Sequence, residues 1–279
     1  MLFSSSLLAL VGSGESINQS PRKLVLYNTK RKTVICELQF PRAILSVKLN
    51  RKRLVLSFDD SIQIYDLNSM TLLQNLDVKI GRKGIISLSP CDSPCFLAFP
   101  CNSTSGDVII YEAGNLVSMN VINAHKNRIC NISFNIDGTF VATSSEKGTI
   151  IRVFSLPGGE KLFQFRRGAV PTNIQYLTFN QQSNILAATS ETTIHLYKME
   201  KRNLGLYIPS VVVDALEPIR DFVSIKLPKK AYSICAFSPD SSHLYVASMD
   251  GYMYVYTLNV EKNDLQLSNQ YCLFPSNTE

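Results

Sequence analysis

The sequence predicts an all-β protein, specifically a β-propeller built from four-stranded antiparallel blades. Short β-rich runs that end in an aromatic residue recur along the 279-residue chain. Between them lie further short strands separated by turn residues. A repeat of about 40 to 45 residues with several strands per unit is typical of a propeller blade.

The aromatic residue that ends each run sets the period of the repeat. The runs KLVLY, SIQIY, DVIIY, IIRVF, TIHLY and YMYVY end at Tyr27, Tyr65, Tyr111, Phe154, Tyr197 and Tyr256. Their spacings are 38, 46, 43, 43 and 59 residues. Six units can be counted, and we interpret residues 1–279 as a single WD-repeat-like propeller domain.

One unit shows all four strands. CNISFN, FVATSS, GTIIRVF and KLFQF follow one another, with Gly138 and the pair Gly158 and Gly159 among the turn residues. The same pattern returns as IQYLTFN, ILAATS and TIHLY, and again as SICAFS, LYVAS and YMYVY. The first unit is shorter, because only 26 residues precede Tyr27. We therefore expect an N-terminally incomplete propeller that either a partner closes or that is a shortened product.

Composition narrows the functional class. A net charge of +6 favours anionic partners or serves solubility alone. The seven cysteines match no zinc-binding pattern, and three histidines form no catalytic constellation. The basic residues are dispersed, which argues against nucleic acid. No apolar run is long enough to span a bilayer. We expect no enzyme activity, no metal and no cofactor.

The segment KLFQFRRGAV places Arg166 and Arg167 side by side at the end of a strand, followed by Gly168. Successive side chains of an extended segment point to opposite sides, so the two arginines should serve two pockets. Two solvated arginines at a strand end are the alternative. Hydroxyl and imidazole groups suited to a phosphorylated polyol occur in the flanking units, at His125, Thr143, Ser145, Thr149, Thr189, Thr193 and His195.

The last interval of the repeat is longer than the others, and the excess falls in EKRNLGLYIPSVVVDALEPIRD. Val211, Val212, Ala215, Leu216 and Ile219 lie on one side of a helical wheel. Two interpretations stay open: a mobile surface loop with a packed apolar turn, and an amphipathic element that dips into a membrane.

The sequence resembles the PROPPIN family of seven-bladed propellers that bind phosphoinositides in autophagy. The resemblance rests on Phe165-Arg166-Arg167-Gly168, which matches the family's FRRG motif, and on SEKGTIIRVFSLPGGEKLFQ, TIHLYKME, LFSSSLLALVG, SPRKL, ILSVKLNRKRL and DGYMYVYTLN. It runs nearly from end to end of the chain.

The resemblance implies two rim pockets for phosphatidylinositol 3-phosphate or phosphatidylinositol 3,5-bisphosphate. By motif position, the first pocket contains His125, Thr143, Ser145, Thr149 and Arg166, and the second contains Arg167, Thr189, Thr193 and His195, with Gly168 beside them. It also implies a loop that inserts into the bilayer through Leu206, Tyr207, Ile208, Val211, Val212 and Leu216. Two departures are the missing first blade and Glu191 beside the second pocket.

The resemblance implies a cytoplasmic protein that associates peripherally with preautophagosomal, endosomal or vacuolar membranes and recruits autophagy proteins. KLNRKRL suggests where an acidic partner segment could bind, through Arg51, Lys52 and Arg53. The alternative function is a protein-interaction scaffold that binds no lipid.

Overall fold

The computed structural model describes residues 6–14, 19–200 and 217–274. These residues form 24 β-strands and no helix, so the predicted all-β class is confirmed. In the described ranges the strands assemble into six sheets, in which strands that follow one another directly in the chain pair antiparallel, whereas one more distant pair is parallel. The chain divides into two compact units, Met1–Ile122 and Asn123–Glu279.

The first unit contains three sheets. Its strands are β1 (Leu7–Val11), β2 (Lys23–Asn28), β3 (Thr33–Gln39), β4 (Ser46–Leu49), β5 (Arg53–Ser57), β6 (Ile62–Asp66), β7 (Leu72–Leu76), β8 (Ser87–Leu88), β9 (Phe96–Pro100), β10 (Asp107–Glu112) and β11 (Val117–Asn123). The sheet orders are β1-β2-β3, β4-β5-β6-β7 and β11-β10-β9-β8. The first sheet has three strands in the described residues, and the other two have four.

The second unit contains the remaining three sheets. Its strands are β12 (Ile129–Phe134), β13 (Phe140–Ser145), β14 (Ile150–Ser155), β15 (Lys161–Arg166), β16 (Ile174–Phe179), β17 (Ile185–Ser190), β18 (Thr193–Lys198), β19 (Ile219–Arg220), β20 (Val223–Lys226), β21 (Ser233–Phe237), β22 (His243–Ser248), β23 (Tyr252–Asn259) and β24 (Asp264–Cys272). The strands anticipated in this part of the sequence are all present.

Two sheets of the second unit carry the predicted site residues: one carries the FRRG motif, and the other carries His195 of the second predicted pocket. We call β12-β13-β14-β15-β19 the arginine sheet and β16-β17-β18-β20 the histidine sheet. One hydrophobic core joins them, because Phe165 of the first stacks on Tyr197 of the second at 4.7 Å between ring centroids. Phe163 and Ile151 pack into the same core, together with Ala188. This packing fixes the position of the two sheets relative to each other.

Strand β19 is absent from the sequence-based expectation. Ile219 was placed on the apolar side of a helical wheel, but it lies in a short strand that pairs in parallel with β15. Its side chain packs against the core between the two sheets. The helical assignment of Ile219 was therefore wrong, since burial of this side chain and pairing of its backbone favour the extended conformation.

Candidate anion-binding site on the arginine and histidine sheets

Arg166 lies on the face of β15 opposite to Phe165, as side-chain alternation predicts, and Arg167 follows the last residue of the strand. Phe165 is completely buried against the histidine sheet. Arg166 is exposed and is therefore on the other face of the arginine sheet. That face carries Thr143, Arg152 and Gln164, which the strand register places in one row across β13, β14 and β15.

His125 lies over this row. Its Nε2 atom is 3.0 Å from Oγ1 of Thr143, and both residues are buried. Arg152 closes the group, because its Nη1 donates a hydrogen bond of 2.7 Å to the Ala124 carbonyl and its Nε donates one of 2.8 Å to Oε1 of Gln164. The structure thus brings His125 and Thr143 together. Ser145 follows two positions along β13 on the same face, and it is buried.

His125 is a neutral group in this arrangement. Burial, and then the nearby Arg152 guanidinium, lower the pKa of its imidazole from 6.5 to about 3. It therefore contributes hydrogen-bonding capacity rather than positive charge at neutral pH.

The lowered pKa predicts acid sensitivity of the fold. Between pH 6.5 and pH 3 the unfolded chain binds a proton at His125 that the folded chain does not, so this group makes stability fall as pH is lowered through that window. We expect His125→Gln to flatten the decrease in melting temperature across it, as measured by differential scanning fluorimetry. Equal slopes for the parent and the variant would contradict the prediction.

Arg167 lies beside the turn between β13 and β14. Its backbone N–H donates to the Thr149 carbonyl at 2.9 Å, and its Nε donates to the Gly148 carbonyl at 2.9 Å. A second guanidinium nitrogen donates to the Val170 carbonyl. Gly148 has a φ of +57°, and a Cβ there would lie 1.7 Å from the Thr172 carbonyl oxygen. Only glycine therefore allows this turn to support Arg167.

Unlike Gly148, Gly168 could be replaced by a residue with a side chain without a clash. A Cβ at Gly168 would meet no atom within 4 Å, and its φ is outside the left-handed region. Neither backbone conformation nor packing within the protein requires glycine here. The space beside the motif is therefore open to an approaching group.

On the histidine sheet, β18 directs Thr193, His195 and Tyr197 toward the arginine sheet. Nε2 of His195 is 3.1 Å from Oγ1 of Thr193, which in turn is 2.9 Å from the hydroxyl of Ser190. Nδ1 of His195 lies 3.3 Å from Oδ2 of Asp221. Burial opposes ionisation of Asp221, but interactions with His195 and Ser224 hold the pKa of this carboxyl below its ordinary value. The Asp221 carboxylate, the His195 imidazole and the hydroxyls of Thr193 and Ser190 thus lie next to one another.

The structure does not bring Thr189 to this group. Thr189 lies on the opposite face of β17, where its hydroxyl is 3.0 Å from the buried Cys235 sulfur. The hydroxyl beside Thr193 belongs to Ser190 instead. Ser190 and Asp221 are two residues that sequence reasoning missed. Adjacent Thr and Ser in AATSE give no sign of which one faces the neighbouring sheet, and nothing in the local sequence singles out Asp221.

Tyr197 lies in the core between the arginine and histidine sheets. Its side chain is completely buried, and its hydroxyl makes no hydrogen bond. Burial, with a smaller contribution from Asp221, raises the pKa of this phenol, and Arg167 opposes the shift. Arg167 and Asp221 are therefore both within electrostatic range of Tyr197.

Two further predictions concern other parts of the chain. The membrane-inserting residues Leu206, Tyr207, Ile208, Val211, Val212 and Leu216 lie outside the described residues. Of the basic set in the first unit, Arg51 and Lys52 are exposed. Arg53 is engaged internally, since it pairs with Asp66 at 3.1 Å and donates to the Ala113 and Gly114 carbonyls.

Within residues 6–14, 19–200 and 217–274, no three potential metal ligands among His, Cys, Asp and Glu come together. In the same residues we find no helix long and apolar enough to cross a membrane.

Comparison with family models matches two of them. Residues 1–205 match PROPPIN, and residues 228–257 match the WD domain, G-beta repeat. Among curated proteins, autophagy-related protein 18 of Yarrowia lipolytica is 35% identical, and the match covers 98% of this chain and 85% of that protein. Autophagy-related protein 18 of Schizosaccharomyces pombe is also 35% identical, with 98% and 86% covered.

Solved structures share the fold. The complex of KlAtg21 with the coiled-coil of AgAtg16 contains a chain that is 31% identical, with a TM-score of 0.81 over 98% of this chain and 84% of that one. Kluyveromyces lactis Hsv2 superposes with a TM-score of 0.75 at 20% identity, covering 98% and 85%. The predicted propeller of four-stranded antiparallel blades is thereby confirmed. The chain belongs to the PROPPIN family, an autophagy family of propellers that are not enzymes.

Proposed function

We propose that this protein is a peripheral membrane protein that binds phosphatidylinositol 3-phosphate and phosphatidylinositol 3,5-bisphosphate through two pockets beside the FRRG motif. The observation that carries the proposal is that Arg166 is exposed on the face of the arginine sheet that carries Thr143, whereas Arg167 contacts the turn between β13 and β14. We take residues 1–279 as one propeller domain for this function.

The first pocket would use Arg166 for charge and the group around Thr143 for hydrogen bonds. A guanidinium presents a fixed fork of donors that matches phosphate oxygens. Thr143, Ser145 and Thr149 offer hydroxyls for the remaining phosphate and inositol oxygens. His125 is buried and neutral, and it supports this group by its contact with Thr143.

The second pocket would use Arg167 with Thr193 and His195. The carboxylate of Glu191, which would repel a phosphate, lies 3.1 Å from Nζ of Lys230. This ion pair reduces the electrostatic cost of placing an anion nearby. Ser190 replaces Thr189 in the proposed hydroxyl set, because it is the residue that contacts Thr193.

Lipid binding would place the protein at preautophagosomal, endosomal or vacuolar membranes from the cytoplasm, where it would recruit other autophagy proteins. The related KlAtg21 was solved with the coiled-coil of AgAtg16. We propose an acidic partner segment at Arg51 and Lys52, both of which are exposed. Arg53 is excluded from this surface by its bonds to Asp66 and two carbonyls.

Vesicle flotation tests the function. We expect the purified protein to float with phosphatidylcholine vesicles that contain either proposed phosphoinositide, and not with vesicles that contain phosphatidylinositol instead. Raising the salt concentration should weaken the association, because the attraction is electrostatic. Equal flotation with unphosphorylated phosphatidylinositol, or none with any vesicle, would support the alternative of a protein scaffold without lipid binding.

A further inference from the structure

Arg166 has a neighbour that is distant in sequence. Strand β19 pairs in parallel with β15, with Ile219 opposite Phe165 and Arg220 opposite Arg166. Neighbouring strands lie about 4.8 Å apart, and residues paired across them point to the same face of the sheet. Ile219 packs into the core on the side of Phe165. Arg220 therefore lies beside Arg166 on the face that carries Thr143.

The residues that the structure describes supply no carboxylate partner for this pair of like charges. Both arginines are exposed. In the described part of the chain, no carboxylate lies within salt-bridge distance of either guanidinium, whereas Arg128 pairs with Glu146 at 2.6 Å and Arg53 pairs with Asp66. Like charges directly opposite each other on neighbouring strands destabilise a sheet. An anion bound between them would remove this cost.

We propose that Arg220 is a second guanidinium of the first pocket, binding together with Arg166 the phosphate monoester of the ligand. The inference rests on the proposed function for the identity of that ligand as an inositol phospholipid. A phosphate monoester carries a charge of about −1.5 to −2 at neutral pH and three acceptor oxygens. Two adjacent guanidinium forks match that charge and those oxygens better than one.

The residue that follows this short strand lies at the second proposed pocket. Asp221 follows Arg220 directly and contacts His195 on the histidine sheet. This segment thus places the Arg220 side chain beside Arg166 and the Asp221 carboxylate beside His195.

Binding measurements on the full chain test Arg220. We expect Arg220→Gln to weaken binding to phosphatidylinositol 3-phosphate vesicles by about tenfold to a hundredfold, the loss of one charge-assisted contact. Arg220→Lys keeps the charge but loses the fork, so its affinity should lie between those of the parent and the glutamine variant. Lys262→Gln, on the turn between β23 and β24, removes one charge elsewhere and should bind as the parent does.

A second arm uses inorganic phosphate, with binding measured by calorimetry. If the parent binds phosphate more tightly than Arg220→Gln but binds no phosphoinositide vesicle, the proposed function fails and the paired-arginine site stands. If Arg220→Gln matches the parent with both probes, the inference is overturned. If the parent binds neither probe, it is overturned as well. Should the glutamine variant melt lower without ligand, Arg220→Lys decides, and parental affinity in that variant rejects the proposal.

Discussion

Replacing Arg166 and Arg167 together with alanine should abolish flotation with phosphoinositide vesicles, whereas each single replacement should weaken it only partly. Arg166 is exposed on one face of the arginine sheet and Arg167 contacts the turn between β13 and β14, so each would bind its own headgroup. Each loss is about 1.5 to 3 kcal/mol at one pocket. Two sites on one rigid body increase each other's effective concentration, and loss of both removes this avidity.

Soluble inositol 1,3-bisphosphate separates the two pockets. Calorimetry should give two sites for the parent and one for each single variant, and the melting temperatures should stay close to that of the parent, because neither arginine is buried in the core. Lys262→Ala is the matched control for the loss of one charge. Complete loss of binding in Arg166→Ala alone would contradict the two-pocket arrangement, as would a parent with a single site.

Phe165→Ala should destabilise the second unit by about 3 to 5 kcal/mol, the usual cost of removing a buried phenylalanine. Phe165 has no exposed surface, and its ring stacks on Tyr197 at 4.7 Å and on Phe163 at 5.7 Å. Its removal would leave a cavity between the arginine and histidine sheets. Chemical denaturation followed by circular dichroism would measure the change in the free energy of unfolding.

The control is Val170→Ala, five residues further along the chain. Val170 is 72% exposed, so this change should alter stability by no more than about 0.5 kcal/mol. Its backbone carbonyl, which accepts a hydrogen bond from Arg167, is retained. A loss below about 1 kcal/mol in Phe165→Ala would show that the stacked rings do not hold the two sheets together.

Much of the fold follows from local sequence. Alternation with a period of two predicted the strands from Ile129 to Arg166, because inward and outward side chains must differ in polarity on a packed sheet. The same alternation placed Arg166 on the face of β15 opposite to Phe165. The recurrence of runs that end in an aromatic residue predicted the blades, since each blade contains the same arrangement of strands and packs in the same way.

Tertiary structure decided which polar groups meet. Thr189 and Ser190 are adjacent, and only the packing of β17 against its two neighbouring sheets shows that Ser190 joins Thr193 while Thr189 contacts Cys235. Likewise, the charge run around Arg53 does not reveal that this side chain is bound by carbonyls 60 and 61 residues away. Local patterns assign a residue to a face but do not identify what lies opposite it.

The sequence by itself determined the all-β class, the blade repeat and the face of β15 on which Arg166 lies, because these depend on neighbours within a few residues. Only the tertiary structure placed Arg220 beside Arg166 and Asp221 beside His195. Those contacts join segments separated by at least 26 residues of sequence, and their pairing depends on the closing of that loop and on the burial of Ile219. Neither the closing of the loop nor the burial of Ile219 can be deduced from a local sequence pattern. No periodicity could therefore have predicted the strand that brings these residues together.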